Sequence, residues 1–302
     1  MLDNRVREER EIRLEGVAQM LDERFSRPEA DEIKAFFEQF YARVPTEDVN
    51  QTSAENLYGA ALSLWKFAAQ RTPGQTKLRV YNPRMEEHGW KSPHTIVEII
   101  TEDMPFLVDS ITANLNQWEC QVHLAIHPVI RVRRSDRGDV GVREELLPPV
   151  PNGKTGLSES VMHIQIAEQG DPAALQQITD DLCAVLGDVK VAVTDWPEML
   201  AQLDDAIAGL KSGTFPQDKA EVSESRSFLA WMRENHFTLL GCRDYSYKKG
   251  TAKSGSADQL EILPGTSLGI FRDEARNILT RPEGNTAASA ASIAQQFIRR
   301  DE

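Results

Sequence analysis

The residues best placed to do chemistry crowd into one stretch, "TEDMPFLVDS" (residues 101–110), where Glu102, Asp103 and Asp109 surround Pro105. Two or three carboxylates at a strand-to-helix step can form a general acid–base pair, ligate a cation, or simply start a helix. As a helix start, Asp103 is the N-cap and Pro105 sits in the first turn, with Glu102 and Asp109 favoured by the positive end of the helix dipole. The free N–H groups of a first turn can also hold a carboxylate. Asp103, Pro105, Phe106, Asp109 and Ser110 are therefore the candidate ligand or interface residues.

Other groupings offer less. His123 and His127 are four apart, which places them on one face of a strand or a helix, as a metal pair requires. No third ligand lies nearby, and Pro128 marks a bulge, so two half-buried rings at the border of a sheet are the simpler reading. Ser110 beside Asp109, and Ser158 and Ser160 near His163, share the composition of a nucleophilic triad without a GxSxG elbow. Cys120, Cys183 and Cys242 are far apart with no CxxC pair, and read as small core residues in a reducing compartment. No two of the 18 glycines form a GxG, and "PNGKTG" (151–156) has Pro148 where a phosphate loop needs its first glycine. No catalytic, cofactor-binding or metal-ligating residue is assigned.

The 302-residue chain carries a formal charge of −13 with its acids scattered, which disfavours nucleic acid and anionic membranes as partners. "MLDNRVREER" lacks a secretory apolar region, and no run approaches the roughly 18 apolar residues of a spanning helix. A soluble, cytoplasmic protein of about two domains is expected.

The positioning elements follow from periodicity. Val6, Leu14, Val17, Leu21 and Phe25 recur at helical steps, as do Ile33, Phe36, Phe37, Phe40 and Tyr41 behind Pro28. Ser53 caps a third helix with Leu57, Ala61, Leu64, Trp65 and Ala68 on one side. "KLRVYNP" is a short strand. "HTIVEIIT" changes the period to two, and the helix over 104–118 follows it directly. "QVHLAIHPVIRVRR" is a strand interrupted at Pro128, the Pro/Gly-rich segment 143–157 a long loop, and "SESVMHIQIAEQ" a strand able to pair with the one before. A helix opens at Asp171 and Pro172. "DVKVAVTD" (188–195) then supplies either a last strand, completing a βαββαβ order of the ferredoxin-like kind, or a continuation of the helix; Pro197 starts a further helix through Leu210. After a linker come a capped helix over 223–235, a period-two strand over "HFTLLGCRDYSY" and one or two more strands within "LEILPGTSLGIFR".

Two of these stretches carry a resemblance. "DMPFLVDSITANLNQW" resembles the D-x-P-G-x-L start of ACT regulatory domains, with Asp103, Pro105, Leu107, Ile111 and Leu115 as the corresponding residues. Together, "ITEDMPFLVDSI" and "FLAWMRENHFTLLGCRDY" resemble the N-terminal portion of the large bacterial NAD-specific glutamate dehydrogenases, over roughly residues 30 to 275. The resemblance implies an α+β fold: a helical N-terminal region with a short strand (1–92), an ACT-like domain with trailing helix (93–211), a linker (212–222), and an incomplete PAS-like or ACT-like domain with a disordered tail (223–302). It implies a regulatory and oligomerising role in an enzyme that converts L-glutamate to 2-oxoglutarate with NAD. NAD would belong to the whole enzyme and not to this chain. Implied partners are the catalytic portion of that enzyme, other subunits in a homo-oligomer, and an amino-acid effector. A stand-alone amino-acid-sensing module is the alternative. Phe106 stands where ACT domains carry glycine, which favours packing over effector binding at this turn.

Overall fold

The computed structural model describes residues 2–118, 120–135, 141–149, 156–215, 217–248 and 259–273. The tail expected to be disordered (274–302), the Gly-Lys-Thr segment and the whole of the 249–258 loop lie outside these residues. The chain divides into two compact units, Met1–Leu186 and Gly187–Glu302.

The first unit opens with four helices: α1 (Leu2–Arg24), α2 (Arg27–Tyr41), α3 (Thr46–Gln51) and α4 (Ala54–Phe67). α2 starts at Pro28 and buries Ile33, Phe36, Phe37, Phe40 and Tyr41, the stripe its spacing requires. At the head of α4 the Ser53 hydroxyl accepts the Asn56 N–H at 3.3 Å. The sequence reading missed α3, which is six residues long with only Val49 buried, too short to show a period.

Seven strands follow: β1 (Gln70–Arg71), β2 (Lys77–Tyr81), β3 (Thr95–Glu102), β4 (Val122–Ile126), β5 (Val129–Arg134), β6 (Gly141–Leu147) and β7 (Leu157–Ile166), with short α5 (Met85–His88) after β2 and α6 (Leu107–Gln117) after β3. They form one sheet in the order β1-β6-β5-β7-β3-β2, with β4 also on β7, and every pairing is antiparallel. β4 and β5 lie end to end along β7, parted at His127 and Pro128, as a proline within a strand demands. β6 corrects the long-loop reading of 143–157: its charged "VREE" hides a strand that pairs with β5.

All of β3 up to Thr101 is buried, so both faces of the sheet are covered. One face, with Ile100, Ile126, Ile130 and Val132, shares a continuous core with Val17, Leu21, Phe36, Phe40, Leu64 and Trp65 of the helices. On the other side α6 and α7 (Pro172–Ser212) bury Ile111, Leu115, Ile178 and Leu182 completely. The Trp118 indole N–H after α6 donates to Asp181 of α7 at 2.9 Å.

The expected last strand is absent. Residues 188–195 lie inside α7, which runs 41 residues without a break, so Pro197 starts no new helix either. Val189, Ala192 and Met199 are buried while Val191 and Val193 are only partly so; that pattern follows helical steps, not alternation. The sheet position beside β3 that this strand would take in a βαββαβ order is filled from upstream, by β2.

In the second unit, Asp218 caps α8 (Lys219–Trp231), accepting the Ala220 N–H. The helix thus begins four residues before the expected "SESR" start. The strand expected over "HFTLLGCRDYSY" is two short ones, β8 (Gly241–Cys242) and β9 (Tyr245–Lys248), paired with β11 (Leu268–Gly269) and β10 (Gln259–Ile262) respectively. Asp195, 3% exposed, accepts from the Gly269 N–H at 2.7 Å and from Arg272 at 2.5 and 2.6 Å.

Candidate functional site

The 101–110 turn differs from a capped helix start. Asp103 does not cap α6, which begins at Leu107 with Phe106 in the N-cap position and no side-chain cap. Phe106 adopts φ 71°, ψ 0°, the left-handed region where glycine carries no strain, and its ring is 44% exposed. The absent glycine therefore leaves its backbone conformation behind. Asp103, Pro105 and Asp109 are exposed, Ser110 is half-buried, and Asp109 lies in the first turn, where the dipole favours it.

The Asp103 carboxylate instead accepts from the Ser160 hydroxyl at 2.8 Å, and Ser160 Oγ lies 2.9 Å from His127 Nε2. This brings together an acid, a serine and an imidazole, but in an order that yields no nucleophile. In a triad the histidine stands between the other two and removes the hydroxyl proton. Here the hydroxyl gives its proton to Asp103, so His127 donates to it, and Ser160 is fully buried. Burial holds the His127 imidazole below its ordinary range, against the opposing pull of Asp103.

Other charges in the sheet are internal. Glu159, fully buried, meets Arg71 at 2.9 Å and Arg134 at 2.7 Å. Glu98, also fully buried, accepts from Arg79 at 2.6 Å, from the Tyr81 hydroxyl at 3.2 Å, and contacts His163 Nδ1 at 3.3 Å. The register sets this trio directly, since Arg79 and His163 are the cross-strand partners of Glu98 on β2 and β7. Burial pushes the thiols of Cys120, Cys183 and Cys242 up, away from the thiolate form. Among the described residues no group of three histidines, cysteines or acids is placed to hold a metal; His123 and His127 part company, one beside His94 and the other on Ser160. A dinucleotide site needs a glycine-rich turn after a parallel strand, and the described strands pair only antiparallel. The described residues supply no such turn to fit NAD.

A cavity of about 430 Å³ lies between the α2–α4 layer and the sheet, a feature no motif announced. Its apolar wall includes Phe40, Val49, Leu57 and Ile126; its polar lining includes Asn56, Trp90, Lys91, His94, His123, His163 and Gln165, with Asp48 the one carboxylate. Several local devices build it. Gly59 of α4 admits Trp90, because a Cβ there would meet the Trp90 Cβ at 2.3 Å. The register of β4 on β7 shifts between Val122 and Leu124, and a bulge of this kind re-aims the residue at it. His123 sits at that shift, with its ring 4.4 Å from that of His94. Burial, then His123, lowers the His94 pKa, while Gln165 opposes them. Deeper in, Gln165 Nε2 lies 3.5 Å from His163 Nε2, leaving His163 Nδ1–H to face Glu98. Trp90 is 2% exposed, and its indole nitrogen, shut off from solvent, has no acceptor.

Comparison with known proteins places these residues in context. Residues 36–182 match the family model described as glutamate dehydrogenase, ACT1 domain. The chain is 35% identical over 260 residues to an NAD-specific glutamate dehydrogenase of Halomonas elongata, covering 86% of this chain and 16% of that protein. It is 34% identical over 215 residues to the NAD-specific glutamate dehydrogenase of Pseudomonas aeruginosa, covering 71% and 13%. The chain thus spans about a sixth or less of the length of these relatives, matching their N-terminal part.

Proposed function

We propose that this chain, which belongs to the NAD-specific glutamate dehydrogenase family and carries its ACT1 domain, is a regulatory and assembly portion of such an enzyme, cytoplasmic and not catalytic by itself. The whole protein would oxidise L-glutamate with NAD and water to 2-oxoglutarate, ammonia and NADH, and this stretch would contribute no residue to that step. The observation that carries the reading is the extended match to the N-terminal part of proteins more than five times as long.

Two features support it. Glu98 and Glu159, the buried acids of the sheet, are consumed in ion pairs internal to it, and the Asp103–Ser160–His127 chain has its hydroxyl proton on the wrong side for attack. In the second unit α8 buries none of its described residues; Phe228 and Trp231 are 53% and 43% exposed, with Phe237 and Leu240 similarly open. Apolar surface of this kind marks an interaction site, and the partner it fits is the remainder of the same enzyme or another of its subunits in a homo-oligomer. In the first unit, Asp103, Pro105, Phe106, Asp109 and Ser110 form the turn offered to a neighbour or to an amino-acid effector; the exposed Phe106 ring favours the neighbour.

The test is reconstitution. Mixed with the remainder of the enzyme expressed separately, this chain is expected to co-elute with it, and alone to give no glutamate-dependent reduction of NAD. NAD reduction by the purified chain alone would overturn the proposal.

A further inference from the structure

The cavity between the helical layer and the sheet has no part in the reading above, and its lining has a definite chemistry. Basic and N–H-bearing groups gather on one side: the ammonium of Lys91 and the tilted imidazole pair of His94 and His123, against Asp48 as the single carboxylate of the described lining. Beside them, Phe40, Val49, Leu57 and Ile126 supply an apolar wall. About 430 Å³ is within the range that holds a small organic molecule. Burial, then the His123 ring 4.4 Å away, disfavours a proton on His94, and an anion beside it would favour one.

We propose that this pocket binds a small organic carboxylate with an apolar body, its head group taken by Lys91, His94 and His123 and its body lying on the Phe40–Ile126 wall beside Trp90. The site is separate from the 101–110 turn, and its occupation is measured without reference to activity or assembly, so its failure leaves the family reading intact.

The probe is 4-phenylbutanoate, with 4-phenylbutanamide as the uncharged control of the same shape, titrated into the ¹⁵N-labelled full chain. The indole N–H resonance of Trp90, identified by Trp90→Phe, is expected to shift saturably with the acid and not with the amide. Lys91→Met and His94→Gln, at exposed and half-buried positions that spare the fold, are each expected to weaken binding about tenfold or more. Circular dichroism of each variant confirms folding. No saturable shift with the acid, equal binding of the amide, or unchanged affinity in both folded variants would each overturn the proposal.

Discussion

At the scale of single residues, the molecule is governed by a few buried charges and one strained turn. Among the described residues Glu159 is the carboxylate that meets both Arg71 and Arg134 in the sheet interior. Glu159→Gln leaves two desolvated guanidinium groups short of a counter-charge, and a broken buried pair typically costs about 3–5 kcal/mol; denaturant unfolding should show a loss of that order. Phe106→Gly should act in the opposite direction. A left-handed conformation costs a non-glycine residue about 1–2 kcal/mol, partly offset by the greater unfolded-state entropy of glycine, so the variant should be more stable by up to about 1 kcal/mol. A destabilised Phe106→Gly would show that the ring, despite its exposure, is held by contacts. The histidines set the pH response. His94 and His127 are both held below the ordinary 6.5 by burial, so between their folded values and 6.5 the unfolded chain binds more protons than the folded one. Stability is then full above 6.5 and falls as pH drops through that window. His94→Gln and His127→Gln should flatten the unfolding midpoint between pH 5 and 7, as followed by thermal melts. Asp195, lowered chiefly by its bond to Arg272, loses its contribution in a separate window below 3.8.

At the scale of elements, strong local patterns were legible and long-range choices were not. α2 and α4 could be read from their stripes and from Ser53, and β3 and β7 from β-branched runs, because burial on defined faces writes itself into the period. α3 and β6 were hidden, one by shortness and the other by "VREE". The segment 188–195 fits both periods in sequence, and a local pattern does not say that β2 already occupies the place beside β3. The Asp103 turn shows the same limit. An acid before Pro105 predicts a cap, but the Ser160 hydroxyl on β7 is a competing donor that only the sheet register brings near. Of the cavity histidines, His123 was singled out only as half of a metal pair with His127, and His163 only for its nearness to Ser158 and Ser160, since the helical layer that encloses them lies far away in sequence. Pro197 remains the costly feature of α7: its ring removes an N–H and crowds the Val193 carbonyl. Pro197→Ala should therefore stabilise the helix by about 1–3 kcal/mol, seen as a higher unfolding midpoint by circular dichroism at 222 nm.

At the scale of the whole molecule, β2 has a consequence for solubility and for where the chain can be cut. It is the outermost strand next to the most buried one, and it carries Lys77 and Arg79. Charged side chains on a border strand deter a second copy from adding to the open row of N–H and C=O groups. The ACT-like order read from sequence begins at residue 93, and a fragment starting there would lose β2 and unpair the β3 backbone from Ile96 to Ile100, a run of "IVEII" with one charge. Light scattering should find that fragment self-associating through strand-to-strand addition while the full chain is free of it. The upstream strand acts as a gatekeeper against cross-β growth, and proteolytic trimming that stops short of residue 77 should leave that protection in place.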